Sequence, residues 1–198
     1  MKVTMLGCGT SVGVPALGHA GWGSCDPTDS RNRRQRCAVL VEVNNTIILV
    51  DAGPDIRNQL LPHQLTKIDA VLITHTHSDH VAGLDDLRAF YWPERNNIKI
   101  YATAHHGKDI VERFPYLFAK KPNSPSYFVP PMVMHQIDAG SKITIGGCKI
   151  DVSFGILGGG PVFFAGLLFA QGGKGVHVLC GLHIPCGEAQ MHFPPNTH

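Results

Sequence analysis

The sequence has no long hydrophobic run. No apolar stretch reaches the ~18 residues that a membrane span requires, so no membrane partner is expected. The apolar run in Met1–Gly7 is too short for a secretory signal. An excess of one charge is also lacking: 17 Lys and Arg stand against 15 Asp and Glu, a formal +2. Such a balance gives no field that would draw nucleic acid or a membrane surface. The six cysteines (Cys8, Cys25, Cys37, Cys148, Cys180 and Cys186) contain no CxxC pair. A chain of 198 residues is long enough to bury a core without disulfide staples. A cytoplasmic protein with reduced thiols is the expectation.

The 43% hydrophobic content suits a globular protein. Val3–Leu6 reads as a first strand that runs into a glycine-rich loop, Gly7-Cys8-Gly9-Thr10-Ser11-Val12-Gly13-Val14-Pro15. Residues 16–36 read as an irregular loop. Strands are expected at about 37–43 and 46–50, with Asn44-Asn45 as the turn, because Asn tolerates positive φ. Asp51-Ala52-Gly53-Pro54 breaks the second strand. Pro54 suits the first position of a helix with Ile56, Leu60 and Leu61 on its apolar face. Asp69–Ile73 is another buried strand. Leu84, Leu87 and Tyr91 have helical spacing, Ile98–Tyr101 alternates as a strand, and Lys108–Phe114 reads as a helix. Lys142–Ile145 and Lys149–Phe154 form a hairpin pattern around Gly146-Gly147. The mixture predicts an α/β (α+β) fold of two sheets covered by helices, not a doubly wound parallel sheet.

Charge then disappears. Of the 32 charged side chains, 30 precede residue 155, and residues 155–198 hold ten glycines with only Lys174 and Glu188 charged. The expected organisation is one domain over 1–154 and an atypical glycine-rich tail over 155–198.

The strongest chemical signal follows the Asp69–Ile73 strand: Thr74-His75-Thr76-His77-Ser78-Asp79-His80. Three imidazoles and a carboxylate in six residues suit zinc, manganese or iron. His75 and His77 converge on one ion only if the chain bends after Thr76. Gly7-x-Gly9 does not match a dinucleotide loop, since Gly13 is out of step with GxGxxG. Arg31, Arg33, Arg34 and Arg36 read as a solvated basic run. His63, His135 and the His105-His106 pair lack ligand spacing and read as surface or loop residues.

His75-x-His77-x-Asp79-His80 resembles the HxHxDH motif of the metallo-β-lactamase superfamily. The resemblance runs from residue 2 to about 154. It is sharpest in Leu6–Pro15, Asn32–Cys37, Asp51–Asp55 and Gly83–Arg88, which resemble the branch of phosphoribosyl cyclic phosphate phosphodiesterases. It implies an αββα sandwich, incomplete here at its C-terminus, and a site for two divalent ions, zinc or manganese. His75 and His77 are implied for the first ion, and Asp79 and His80 for the second, with Asp79 also a catalytic residue. Asp51 is implied as a support of the metal loop, and Thr10 and Ser11 as residues that approach substrate phosphate. Cys25 and Cys37 lack the denser cysteine cluster of relatives with a structural zinc and read as lone buried thiols. The implied reaction is attack of metal-bound hydroxide on a small, cyclic phosphodiester. Neither nucleic acid nor a membrane is an expected partner, and a homodimer is compatible with the sequence.

The resemblance also implies ligands that this chain does not match in pattern: a His after the Lys149–Phe154 strand, a bridging Asp in Tyr-Ser-x-Asp, and a late His. Gly155-Ile156-Leu157-Gly158 follows the strand instead, and His177, His183, His192 and His198 sit in other settings. One hypothesis that accounts for the change is a displaced reading frame near residue 154. In the plus-one frame, codons for Phe164–Leu168 can spell Ser-Leu-Gly-Tyr, and those for Val178–Leu182 can spell Tyr-Ser-Ala-Asp. Weak metal binding and slow hydrolysis are therefore expected of this chain. The alternatives are a non-catalytic remnant or binding module, a thioester or lactone hydrolase, and an RNA 3′-end nuclease.

Overall fold

The computed structural model describes residues 1–156, 163–171 and 174–180. Strand β1 (Lys2–Gly7) pairs antiparallel with β2 (Ala38–Val43), and β2 pairs antiparallel with β3 (Thr46–Val50). Val43 faces Thr46 across the two-residue turn, and Asn44 takes the positive φ of 53° that the turn needs. Helix α1 (Ile56–Leu60) follows. Strand β4 (Ala70–Leu72) lies parallel to β3, and the short helix α2 (Ser78–Val81) carries the end of the histidine motif. A 3-10 helix spans Leu84–Phe90. Strand β5 (Ile98–Ala102), helices α3 (Ala104–Arg113) and α4 (Pro115–Phe118), and strand β6 (Met132–Gln136) complete the first sheet, with β4, β5 and β6 parallel. Its order is β1-β2-β3-β4-β5-β6.

The second sheet is antiparallel. Strands β7 (Lys142–Ile145), β8 (Cys148–Ile156), β9 (Phe163–Gln171) and β10 (Lys174–Cys180) follow one another in space as in sequence. Gly146 and Gly147 both have positive φ at the β7–β8 turn, as the sequence pattern requires.

Two cores hold these layers together. Leu49, Val71, Ile73, Ile98 and Ile100 face Ile56, Leu84, Leu87, Ile110 and Leu117 from the helices. The alternate positions, Ile48, Val50, Ala70 and Leu72, face Ile145, Ile150, Val152, Leu167 and Phe169 of the second sheet. Strands β2, β3 and β4 are thus buried on both sides, which explains their continuous apolar runs. Among the described residues the layers are helix, sheet, sheet. This is the α/β arrangement expected from the sequence, with three layers of an αββα sandwich.

Local differences have physical causes. The helix after Pro54 starts at Ile56 and turns at Leu61 into a 3-10 segment, so Leu61 is exposed and Gln59 takes its buried place. Gln59 tolerates burial because its Nε2 donates to the Arg36 carbonyl at 2.8 Å. Residue 154 lies inside β8, and pairing runs past it into β9 and β10. Leu167, Phe169 and Val178 reach the second core with strand periodicity. Residues 157–162, 172–173 and 181–198, which include His183, His192 and His198, lie outside the described residues. Cys25, read as a lone thiol, is disulfide-bonded. No helix of the described residues is long and apolar enough to cross a membrane.

Candidate metal centre

Strands β3, β4 and β5 are parallel, and β1 runs with them because two antiparallel steps separate it from β3. Their C-terminal ends open on one sheet edge. Asp51, the Thr74–His80 loop and the start of α3 are therefore delivered there by buried strands.

Asp51 ends β3 with a left-handed backbone, φ 62°, and is fully buried. Its N–H donates to the Leu72 carbonyl at 2.9 Å. Its carboxylate accepts three hydrogen bonds: from Thr74 N–H at 2.9 Å, from the Thr74 hydroxyl at 2.8 Å and from His80 Nδ1 at 2.7 Å. A carboxylate can only accept, so the proton of this last bond sits on His80 Nδ1. The Thr74 hydroxyl has given its one proton to Asp51, so it accepts from His75 Nδ1, 3.1 Å away. Both rings are thus protonated at Nδ1, the arrangement by which an outer partner leaves Nε2 for a metal.

The motif's other groups gather around these rings. The His75 ring centroid lies 4.6 Å from that of His77 and 4.0 Å from that of His80. His80 Nε2 is 3.2 Å from Asp79 Oδ2. Burial, reinforced by the neighbouring His80, pulls the His75 pKa down to about 4, so this imidazole is neutral at physiological pH. Burial also opposes charge on His80, but the hydrogen bond and charge of Asp51, with Asp79, outweigh it and raise its pKa.

Imidazole and carboxylate oxygen are the right donors for a zinc-class ion. Orientation of His75 and His80 through Asp51 fits that use. Among the described residues, however, no three His, Cys, Asp or Glu side chains form a ready cage. The fit is one of donor chemistry and ring orientation. His75, His77, Asp79 and His80 are the residues that would hold an ion, and Asp51 would orient them.

Main-chain contacts fix the loop. Ala52 N–H donates to the His80 carbonyl at 2.7 Å, and Gly83 N–H to the Ala52 carbonyl at 2.8 Å. Gly53 packs so closely that a Cβ there would strike the Asp79 carbonyl. From the other side comes α3, whose first turn is capped by the Thr103 hydroxyl accepting from His106 N–H at 3.3 Å. The helix begins four residues before the expected Lys108, so His105 and His106 are helical. Burial, with the nearby His105, lowers the pKa of His106, whose Nδ1 is 3.5 Å from Thr76 Oγ1. The capping threonine ahead of Ile110 was the sequence signal for this start.

The expected substrate-binding residues hold their own loop. Thr10 Oγ1 donates to the Gly13 carbonyl at 3.5 Å, and the Ser11 carbonyl accepts from Arg36 Nε at 3.0 Å. Gly7 and Gly9 face the Arg36 and Arg34 carbonyls with no room for a side chain, which supports close packing as their role. The basic run is partnered: Arg36 pairs with Asp55 at 2.9 Å, Arg31 with Asp29 at 2.7 Å, and Arg33 lies 5.0 Å above the Trp22 ring.

Residues 46–189 match the family model of the Beta-lactamase superfamily domain. The chain belongs to the metallo-β-lactamase superfamily. A solved superfamily structure, described as a new diphosphatase from the PhnP family, shares 30% identity with a TM-score of 0.68, covering 85% of this chain and 62% of that one. Zinc-bound PqqB from Methylobacterium extorquens superposes with a TM-score of 0.64 at 21% identity, over 89% of this chain and 64% of that one, a likeness of fold. A protein named octanoyltransferase from Porphyromonas gingivalis is 40% identical over 124 residues, 62% of this chain and 24% of its own length. A ribonuclease Z from Staphylococcus carnosus is 38% identical over 85 residues, 40% of this chain and 28% of that protein. The chain therefore spans about a quarter of the length of these curated relatives.

Proposed function

We propose that this superfamily member is a metal-dependent hydrolase of the phosphodiesterase type, with a small cyclic ribose phosphate as its substrate class. The observation that carries the reading is the Asp51 network, which turns Nε2 of both His75 and His80 toward metal use beside Asp79. The 30% identity to a PhnP-family diphosphatase over 85% of this chain favours phosphorus chemistry. A divalent ion, zinc or manganese, would supply acidity to water and neutralise charge on a phosphoryl oxygen. The protein's share is to hold the donors in place: Asp51 keeps the proton on His80 Nδ1, and Thr74 does the same for His75. Two donors each from His75/His77 and Asp79/His80 are fewer than the three protein ligands usual in hydrolytic zinc sites. Weak binding and slow turnover belong to this reading.

The ribonuclease Z relatives favour a second reading, an RNA 3′-end nuclease, which cleaves the same type of bond in a larger substrate. One set of assays tests both. The full chain is incubated with zinc or manganese and offered bis(4-nitrophenyl) phosphate, a ribose cyclic phosphate, a precursor tRNA and a thioester. Metal content is read in parallel by mass spectrometry. Slow phosphodiester turnover that disappears in His77→Ala is expected. Turnover of the thioester alone, or phosphodiester cleavage that survives His75→Ala and His77→Ala, overturns the proposal.

A further inference from the structure

The chain must bend after Thr76 for His75 and His77 to converge; it does so at His77, and one helix grips the residue just before that bend. The Thr76 carbonyl accepts from Arg113 Nη1 at 2.6 Å. The guanidinium is in turn forked onto Asp109, with Nη2 2.9 Å from Oδ2 and Nε 3.1 Å from Oδ1. That fork consumes one side of the planar group and leaves Nη1 directed at Thr76. From the same helix, His106 Nδ1 lies 3.5 Å from the Thr76 hydroxyl. Residues 106, 109 and 113 are spaced by three and four, so one face of α3 addresses a single residue of the histidine loop. Ile110, fully buried between them, anchors that helix to the first sheet.

We propose that Arg113, locked by Asp109, is a positioning residue that holds Thr76 against the bend at His77 and so sets the relative placement of the His75 and His77 imidazoles. Its consequence for metal binding rests on the metal-dependent reading above, while the clamp itself rests on the contacts to Thr76. Arg113 and Asp109 are 42% and 30% exposed, so their ion pair alone contributes little stability. The effect lies in the Thr76 carbonyl, which belongs to a residue only 8% exposed.

The test compares the full-length protein with Arg113→Met, Arg113→Lys and, as a control on the same helix, Lys108→Met. Hydrogen exchange of the metal-free proteins reads the clamp, and cobalt(II) binding with its visible spectrum reads the site. Arg113→Met is expected to speed amide exchange in residues 77–80 about tenfold, leave the core strands unchanged and weaken cobalt binding about tenfold with an altered spectrum. Arg113→Lys, which keeps the charge but loses the fork, falls between. Unchanged exchange at residues 77–80 in Arg113→Met overturns the clamp, as do identical changes in Lys108→Met. A wild-type protein that takes up no cobalt sinks the metal reading, while the exchange result still decides the clamp.

Discussion

Replacing Asp51 by Asn exchanges one oxygen for an amide nitrogen and leaves the side chain's shape intact. Asn tolerates the left-handed backbone at this position. If the amide oxygen keeps the Thr74 N–H, the new NH2 stands where Oδ2 accepts from His80 Nδ1 at 2.7 Å and from the Thr74 hydroxyl at 2.8 Å. Two donors then meet two donors. His80 relieves the conflict by moving its proton from Nδ1 to Nε2, and Thr74, now an acceptor, gives its proton to His75 Nδ1. Both imidazoles change tautomer, and each then carries a proton on the nitrogen a metal needs. The opposite amide orientation spares His80 but sets NH2 against the Thr74 N–H. Leaving that buried donor unpaired costs about 1–3 kcal/mol. Metal affinity is expected to fall about 10- to 100-fold, in keeping with loss of an outer partner of a ligating histidine. Asp51→Ala, which strands all three donors, is expected to cost about 3–5 kcal/mol of stability. Competition with a chromophoric chelator gives the affinity, and nitrogen chemical shifts of labelled histidine give the tautomers. Asp51→Asn with an unprotonated His80 Nε2 and wild-type affinity would refute the reasoning.

Three further substitutions test the frame around the site by urea unfolding. Gly53→Ala, whose Cβ meets the Asp79 carbonyl, is expected to lose about 1–3 kcal/mol through overpacking. Asp55→Ala removes the acceptor of both Arg36 N–H and its guanidinium, each at 2.9 Å, and is expected to lose about 1–3 kcal/mol. A loss near zero would show that the glycine-rich loop is held by its close packing alone. Phe169→Ala is expected to cost about 3–5 kcal/mol, since this ring is fully buried in the second core. A cost below about 1 kcal/mol would place β9 outside the cooperative unit.

What the sequence revealed and what it concealed follow from interaction range. The turns at Asn44-Asn45 and Gly146-Gly147 were legible because positive φ is a local demand with few residue solutions. The motif at residues 75–80 was legible because its donors are adjacent in the chain. Gln59 was missed because its burial depends on a carbonyl 23 residues away. Arg113 was missed for the same reason: its partner lies 37 residues earlier and is a backbone oxygen, which leaves no mark on residue identity. The expectation of a separate segment after residue 154 rests on vanishing charge and fading alternation. In β9 and β10 it is the alternation of Leu167 with Phe169 and Val176 with Val178 that tracks pairing and core contact.

The main-chain stitching of Ala52 to His80 and of Gly83 to Ala52 separates two events that small zinc domains combine. In those domains the ion assembles its own ligands, and metal binding is folding. Here main-chain contacts from buried strand ends and close-packed glycines fix the loop, so little of its ordering would depend on an ion. Loading would then act as ordinary linkage, adding about 2.7 kcal/mol at a hundredfold excess over Kd. A loop built this way would keep its shape with or without an ion.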